Sequence, residues 1–288
     1  MGSSLTVSIV SDDKTKAEEG FQKAKEIGNL YETMFSRFIP ESELSLLNSK
    51  KELIVSPLFL ETVQIAKHLH EDTEGAFNPL VQIEQFGYEK DFAHVRGTKV
   101  AKKVSAYNTD FSRVTIDETH SHISIPDTQK FDFGGFLKGH VAQKMAEALN
   151  SFPGVIINLG GDIMTHGKDA MGQQFIFSIH NPINPSEMIS LPLENVSIAT
   201  SGSYRRTWEF NGEKFFHILD TDGKGNPKTD VISSTVISPL GAVADAYATV
   251  GIVLGSKKGS ALLKKRNLHY ILITDKGEVL THTYEKLF

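Results

Sequence analysis

The sequence predicts an α+β fold in one compact domain over residues 1–288. Helix-like patterns dominate the first half of the chain, whereas most strand-like runs come after residue 150. Strands that follow helices as a block, instead of alternating with them, favour an α+β fold over a doubly wound parallel sheet. No internal repeat and no long linker divides the chain. One domain is therefore the simplest organisation for a chain of this length.

The first half begins with a strand and continues with helices. The run over residues 5–10 is strand-like, and apolar residues then recur at three- and four-residue spacing over residues 14–34, which predicts an amphipathic helix. A short helix is expected to end near Asn48. The next helix, over residues 57–70, starts with Pro57 in its first turn, where proline is favoured.

The second half carries the predicted sheet. A helix near residues 138–149 precedes a series of strand-like runs, which cover residues 155–159, 175–179, 196–199, 215–219 and 235–238. An almost wholly apolar helix follows from Gly241, and two last strands are expected over residues 269–274 and 279–282.

Composition excludes several classes of protein. The net charge of −5 argues against a nucleic-acid binder, which would normally present a basic face. No apolar run is long enough for a transmembrane helix. Because the chain has no cysteine, it has neither disulfides nor a thiolate nucleophile.

The compartment stays open from the sequence. Met1-Gly2-Ser3-Ser4 leads directly into the first strand, without a signal-peptide pattern and without the cysteine of a lipid-anchor motif. The chain as written is expected to be cytoplasmic. The alternative is an extracytoplasmic lipoprotein whose leader has been removed.

Asp245 is the most informative residue. It is the single charge on its apolar helix, and Thr249 lies one turn later on the same face. A buried carboxylate is unfavourable unless it is paired, hydrogen-bonded or bound to a metal, and oxygen ligands suit Mg²⁺. The alternative is a satisfied core aspartate, with Thr249 bonding back to the helix backbone.

Two glycine-containing motifs point to a bound anion or ligand. In the first, Asp132, two glycines and Lys138 stand where a helix is expected to begin, a favourable place for phosphate. The alternative is an Asp132 helix cap with a solvated Lys138. In the second, Gly160 and Gly161 follow a buried strand and allow close approach to a ligand. The alternative there is a tight turn in which Asp162 bonds its own backbone.

His217 is a candidate for proton transfer. It falls within the strand-like run 215–219, so its side chain would point away from those of Phe216 and Ile218. A single histidine in such a strand is also compatible with a purely structural role.

Taken in order along the chain, these motifs resemble those of the ApbE-type FAD:protein FMN transferase family. The blocks that carry the resemblance are Met1-Gly2-Ser3-Ser4, residues 35–48, residues 75–81 with Phe86-Gly87, residues 132–139, residues 158–162, Thr200-Ser201-Gly202, residues 217–220 and residues 244–249. Two positions and one segment depart from the family pattern: Ser3 and Phe38 replace the usual Thr and Tyr, and residues 221–227 form a variant turn. Phe38 still offers a flat apolar face to a flavin or adenine ring.

The resemblance implies a fold and an activity. The fold would be an ApbE-like, T-fold-related domain with a mostly antiparallel sheet and flanking helices. The activity would be Mg²⁺-dependent cleavage of FAD, with transfer of FMN through a phosphoester bond to a Thr or Ser hydroxyl of an acceptor protein and release of AMP.

The resemblance also implies roles for particular residues. Asp245, Thr249 and the carbonyl of Gly135 would bind Mg²⁺, and His217 would assist deprotonation of the acceptor hydroxyl, with Asp245 as the second catalytic residue. The residues placed against FAD are Met1, Phe38, Gln85, Phe86, Gly87, Asp132, Lys138 and Ile218. Two alternatives remain, a Mg²⁺-dependent FAD pyrophosphatase that uses water as acceptor, and a flavin-binding protein without turnover.

Overall fold

The computed structural model describes residues 3–87 and 107–282. The α-helices of these residues are α1 (Lys14–Phe35), α2 (Glu43–Lys50), α3 (Pro57–Asp72), α4 (Leu137–Ala148) and α5 (Gly241–Lys265). The strands are β1 (Leu5–Val10), β2 (Glu52–Ile54), β3 (Thr115–Asp117), β4 (His122–Ser124), β5 (Gly154–Leu159), β6 (Asp162–Gly167), β7 (Phe175–His180), β8 (Met188–Leu193), β9 (Ser197–Gly202), β10 (Thr207–Phe210), β11 (Glu213–Phe216), β12 (Val231–Ser238), β13 (His269–Thr274) and β14 (Val279–His282).

The described residues form two compact units. The first unit comprises Tyr31–Gly135 and Ser203–Lys228, and the second comprises Ser3–Leu30, Phe136–Gly202 and the chain from Thr229. The single domain expected over residues 1–288 stays a prediction. None of the described helices is both long enough and apolar enough to cross a membrane.

The second unit is built on a seven-stranded sheet in the order β1-β5-β6-β9-β12-β13-β14. Every neighbouring pair in it is antiparallel. Helices α4 and α5 pack against each other and against this sheet. The sheet with its helices is the α+β arrangement that the sequence predicts.

Helix α5 changes direction at Gly255, which has a φ of +72°. Glycine adopts this left-handed conformation without steric penalty. Asp230 then accepts a hydrogen bond from the backbone N–H of Ser256 at 2.8 Å, which satisfies a donor at the start of the second half of the helix.

The first unit has an aromatic core. Phe35 stacks on Phe59 with ring centroids 5.2 Å apart, and both rings contact that of Phe133. The same unit contains a three-stranded sheet in the order β2-β4-β3 and a separate hairpin of β10 and β11. The preceding serines, Ser42 and Ser56, cap α2 and α3 through hydrogen bonds from Ser45 and Phe59 backbone N–H groups.

Most predicted elements are confirmed, with one difference that bears on function. The apolar run 215–219 does not form a strand throughout, since β11 ends at Phe216. His217 therefore lies just beyond the strand, and the alternation expected to orient its side chain does not apply.

Candidate functional site

Three charged side chains meet in the second unit, and we call them the ionic cluster: Lys138 of α4, Asp162 of β6 and Asp245 of α5. Lys138 Nζ lies 2.9 Å from Asp162 Oδ2 and 3.1 Å from Asp245 Oδ2. Asp162 and Asp245 are only 4% and 3% exposed. Because water is largely excluded, this ion pairing is far less screened than pairing at a protein surface.

The ionic cluster depends on close contact between α4 and α5. A Cβ atom added at Gly139 would lie 2.1 Å from the carbonyl oxygen of Gly241, so only glycine allows this approach. The Gly139 backbone N–H donates to Asp245 Oδ2 at 3.1 Å. Asp245 thus satisfies a first-turn donor of the neighbouring helix, where the helix dipole favours a negative charge.

Burial and mutual repulsion set the protonation of the ionic cluster. Burial, with added repulsion from Asp245, raises the pKa of Asp162 to about 7, although Lys138 acts in the opposite direction. Burial alone would lower the pKa of Lys138, but the two carboxylates outweigh it and hold that pKa above its usual value. Lys138 is therefore a permanent cation.

Hydroxyl groups extend this site. The Thr249 and Ser201 hydroxyls are hydrogen-bonded at 3.1 Å, and those of Thr200 and Thr235 at 2.9 Å. Within residues 3–87 and 107–282, no group of three or more His, Cys, Asp and Glu side chains is arranged to hold a metal.

The donor set nevertheless fits a hard cation. Asp245 and Thr249 offer oxygen atoms, and with both carboxylates ionised the cluster has one more negative charge than Lys138 neutralises. Asp162 Oδ2 is buried and accepts no well-aligned hydrogen bond from the described residues, despite its close approach to Lys138. Further positive charge would stabilise such a site.

The structure bears on the alternatives for the two glycine-containing motifs. Lys138 is not a solvated lysine, because its side chain is 18% exposed and paired with two carboxylates. Asp132 does not cap α4, whose N-cap residue is Phe136; instead it accepts from the Gly134 N–H at 2.8 Å. The tight turn expected before β6 is present, formed by Gly160 and Gly161 with φ of +68° and +105°, but the Asp162 carboxylate is paired with Lys138.

A second group of predicted residues lies in the first unit around Asp132. Arg37 Nε is 3.6 Å from Asp132 Oδ2, and the guanidinium carbon of Arg37 lies 4.6 Å from the centroid of the Phe38 ring. The Phe38 ring is 42% exposed, which leaves apolar surface available for a planar ligand. Gly135, two residues before α4, packs against the Phe77 ring.

Gln85, Phe86 and Gly87 lie together in the first unit on a 3-10 helix, Ile83–Phe86, and its left-handed cap. This helix packs against the β10–β11 hairpin. The Phe86 ring stacks on Phe215 with centroids 4.7 Å apart, and the Phe86 carbonyl accepts a hydrogen bond from Trp208 Nε1 at 2.6 Å. Gln85 Nε2 donates to the carbonyl of Gly223 at 3.3 Å.

His217 and Ile218 follow this hairpin in the chain. His217 is half-buried, whereas the Ile218 side chain is buried. The Asn226 amide bonds to the backbone on both sides of His217: Oδ1 accepts from the Phe216 N–H at 3.0 Å, and Nδ2 donates to the carbonyls of Phe216 and Ile218 at 2.7 and 2.6 Å. Met1 lies outside the described residues.

The structure thus brings Lys138, Asp245 and Thr249 into one unit and Phe38, Gln85, Phe86, Gly87, Asp132, Gly135, His217 and Ile218 into the other. Their assigned roles stay predictions. Sequence reasoning did not assign roles to Asp162, Arg37 and Asn226. The glycine pair before Asp162 was a usable signal for the first, whereas nothing in the local pattern marks the other two.

Comparison with solved structures supports the fold. The apo flavinyl transferase ApbE of Pseudomonas stutzeri is 21% identical, with a TM-score of 0.84 over 100% of this chain and 94% of its own. The ApbE protein of Thermotoga maritima is 23% identical, with a TM-score of 0.82 over 100% and 96%. The ApbE-like fold with a mostly antiparallel sheet is thereby confirmed.

Sequence relatives agree with this likeness. A protein of Klebsiella pneumoniae named FAD:protein FMN transferase is 26% identical over 304 residues, which is 100% of this chain and 91% of that protein. A Salmonella typhimurium protein of the same name is 24% identical over 96% of this chain and 83% of its own length. The sequence model of the ApbE family matches residues 1–272. The chain therefore belongs to the ApbE family.

Proposed function

We propose that this chain is a Mg²⁺-dependent FAD:protein FMN transferase. It cleaves FAD, links FMN through a phosphoester bond to a Thr or Ser hydroxyl of an acceptor protein, and releases AMP. The relatives that share this name match the chain over nearly its whole length, which supports flavin transfer as the reaction.

The observation that carries the proposal is the ionic cluster beside Thr249. Two carboxylates that are almost fully buried, with one lysine between them, form an unusual arrangement for a purely structural site. Asp245, Thr249 and the Gly135 carbonyl would hold Mg²⁺. When bound, that ion would neutralise pyrophosphate charge and assist departure of AMP.

The remaining chemistry is positioning and proton transfer. The acceptor hydroxyl oxygen attacks the FMN phosphorus of FAD, a new P–O bond forms, and the bond to the AMP phosphate oxygen breaks. His217 takes the hydroxyl proton as it is lost. Lys138, held as a cation by its carboxylates, offers positive charge to the phosphates, and the first-unit residues from Phe38 to Ile218 bind and orient FAD.

The test is to incubate the protein with FAD, Mg²⁺ and a folded domain that carries a flavinylation-type threonine. Intact mass is then measured on the domain and AMP in solution. We expect the domain to gain one FMN and AMP to appear in equal amount. Neither should occur with EDTA, and the domain should stay unlabelled when its threonine is replaced by alanine.

The result separates the alternatives. AMP and free FMN without labelling would identify a pyrophosphatase. Binding of FAD without AMP release, in the presence of a domain that a known relative labels, would identify a flavin-binding protein without turnover. Either outcome would contradict the proposal.

A further inference from the structure

The Asn226 side chain binds the backbone on both sides of His217. Its amide has two N–H donors and a carbonyl acceptor. Both donors and the acceptor are used, on the Phe216 N–H and on the carbonyls of Phe216 and Ile218. The Phe216 contacts are those that a neighbouring β-strand would make, because Asn226 exchanges a donor and an acceptor with one residue.

This contact begins where the strand ladder ends. Strand β11 pairs with β10 up to the couple Phe216–Thr207, so the regular strand ends immediately before His217. Asn226 holds the backbone on either side of this end, at Phe216 and Ile218, with side-chain atoms. One side chain thereby holds the peptide group that precedes His217 and the carbonyl of Ile218 that follows it, which restricts the backbone of the segment that carries the His217 side chain.

The segment between the two residues is itself held in place. The Asp220 N–H donates to the carbonyl of Gly225 at 2.8 Å, and the Gly223 N–H donates to that of Asp220 at 2.9 Å. Gln85 and Asn78 donate to the carbonyls of Gly223 and Thr221. Asn226 is therefore presented to the His217 segment by a turn anchored elsewhere in the first unit.

We propose that Asn226 is a positioning residue for His217. The inference rests on the proposed function, in which His217 takes the proton of the acceptor hydroxyl. Small displacements of a catalytic group reduce rates strongly, to the extent of about 10²-fold for 1 Å. Loss of the Asn226 amide should therefore lower the rate of transfer without weakening FAD binding to a similar extent.

The test combines Asn226→Ala with His217→Ala in a double-mutant cycle. We expect Asn226→Ala to lower kcat for FMN transfer at least about tenfold, with KM for FAD changed less than about threefold. In the His217→Ala background, the same substitution should lower kcat less than about twofold. Equal losses in both backgrounds, or a kcat within about twofold of wild type, would overturn the proposal.

Two further variants make the result specific. Asn226→Asp is nearly isosteric but cannot donate to the two carbonyls when ionised, so it should behave like Asn226→Ala. Asn211→Gly is the matched control, because Asn211 is an exposed residue with a φ of +51° at the tip of the same hairpin. It should retain wild-type activity. If neither Asn226 variant folds cooperatively, Asn226 holds the fold in general and the proposal fails.

A readout independent of catalysis separates this inference from the proposed function. In protein labelled with ¹³C-histidine, the His217 ring signal is identified by its absence from His217→Ala. We expect it to shift or broaden in Asn226→Ala while the other histidine signals remain. An unchanged His217 signal would overturn the positioning role even if FMN transfer were absent, whereas absent transfer with a changed signal would overturn only the proposed function.

Discussion

Three donated contacts converge on the Asp245 carboxylate. Lys138 Nζ approaches Oδ1 and Oδ2 at 3.3 and 3.1 Å, and the Gly139 N–H binds Oδ2 at 3.1 Å. Oδ1 makes only the longest of these contacts, so it is the oxygen more available to a metal ion. The residue thus combines a structural contact with the proposed Mg²⁺ site.

We predict that Asp245→Asn abolishes Mg²⁺-dependent AMP release while the chain stays folded. The amide oxygen can still accept from Gly139, but the charge that would attract Mg²⁺ is lost. The loss should be about 10²-fold or more, because metal stabilisation of the transition state is worth several kcal/mol. AMP release is measured against Mg²⁺ concentration, alongside a thermal melt.

Asp230→Asn is the control for that prediction. Asp230 is an exposed carboxylate of the same unit that caps the second half of α5. Its loss should lower the melting temperature and leave AMP release intact. Near-normal activity of Asp245→Asn at limiting Mg²⁺ would refute the ligand assignment.

The raised pKa of the Asp162 carboxyl implies an unusual pH dependence of the free energy of unfolding. Its pKa is about 7 in the folded chain, against 3.8 for the ordinary group. Between these two pH values the Asp162 carboxyl is protonated in the folded state and ionised in the unfolded state. Its contribution to the free energy of unfolding is therefore fully present below about pH 4 and is lost as the pH rises towards 7.

We therefore expect Asp162→Asn to remove a decline in stability that the wild type shows between pH 5 and pH 8. The measurement is urea unfolding of both proteins in EDTA at the two pH values. The difference between the two pH dependences should be on the order of a few kcal/mol. Parallel pH dependences would show that Asp162 titrates normally.

At the level of elements, the crossing of α4 and α5 fixes the ionic cluster. The two helices meet at Gly139 and Gly241, where a Cβ on either residue would lie 2.0–2.1 Å from the carbonyl oxygen of the other. At this crossing the Gly139 N–H of α4 donates a hydrogen bond to the Asp245 carboxylate of α5. Any side chain at the crossing would separate the helices and pull Lys138 from Asp245.

We predict that Gly139→Ala destabilises the protein by about 2 kcal/mol or more, because backbone atoms rather than a flexible side chain must move. Gly28→Ala in α1 is the matched control. Its added Cβ would meet two flexible side-chain ends, the terminal methyl of Met145 at 3.0 Å and Leu5 Cδ2 at 3.9 Å, and the gain in helix propensity is up to about 1 kcal/mol. Equal urea midpoints for the two variants would contradict the account.

Elements differ in how well the sequence predicts them. The long helix α1 has a clear amphipathic periodicity, and the predicted bounds of α1, β13 and β14 agree closely with the structure. Strand β2, Glu52–Ile54, is three residues long and too short to show a period. The run around His217 has strand composition, but the partner strand ends opposite Phe216, a long-range fact that local composition does not contain.

At the scale of the whole molecule, pairings between distant residues could not be read from local patterns. Asp162 and Asp245 are far apart in sequence, and their convergence on Lys138 follows from the order of strands in the seven-stranded sheet and from the α4–α5 crossing. The ordered series of motifs did predict the family, because the motifs are spread along nearly the whole given sequence and not confined to one segment.

For the whole chain, we predict which flavin nucleotide binds more tightly. The predicted contacts run along the sequence from Phe38 to Ile218 and include the lysine proposed for phosphate, so we expect FAD with Mg²⁺ to bind in preference to FMN with Mg²⁺.

A ligand at 100 times its Kd stabilises the folded state by about 2.7 kcal/mol, which raises the melting temperature by several degrees for a chain of this size. FAD at a fixed low concentration should produce such a shift, and FMN at the same concentration a clearly smaller one. The FAD shift should shrink in EDTA and in Asp245→Asn, since the pyrophosphate would lose its counter-ion. Equal shifts for FAD and FMN would mean that the adenylate half makes no net favourable contact, and would favour a simple flavin-binding protein over an enzyme that cleaves FAD.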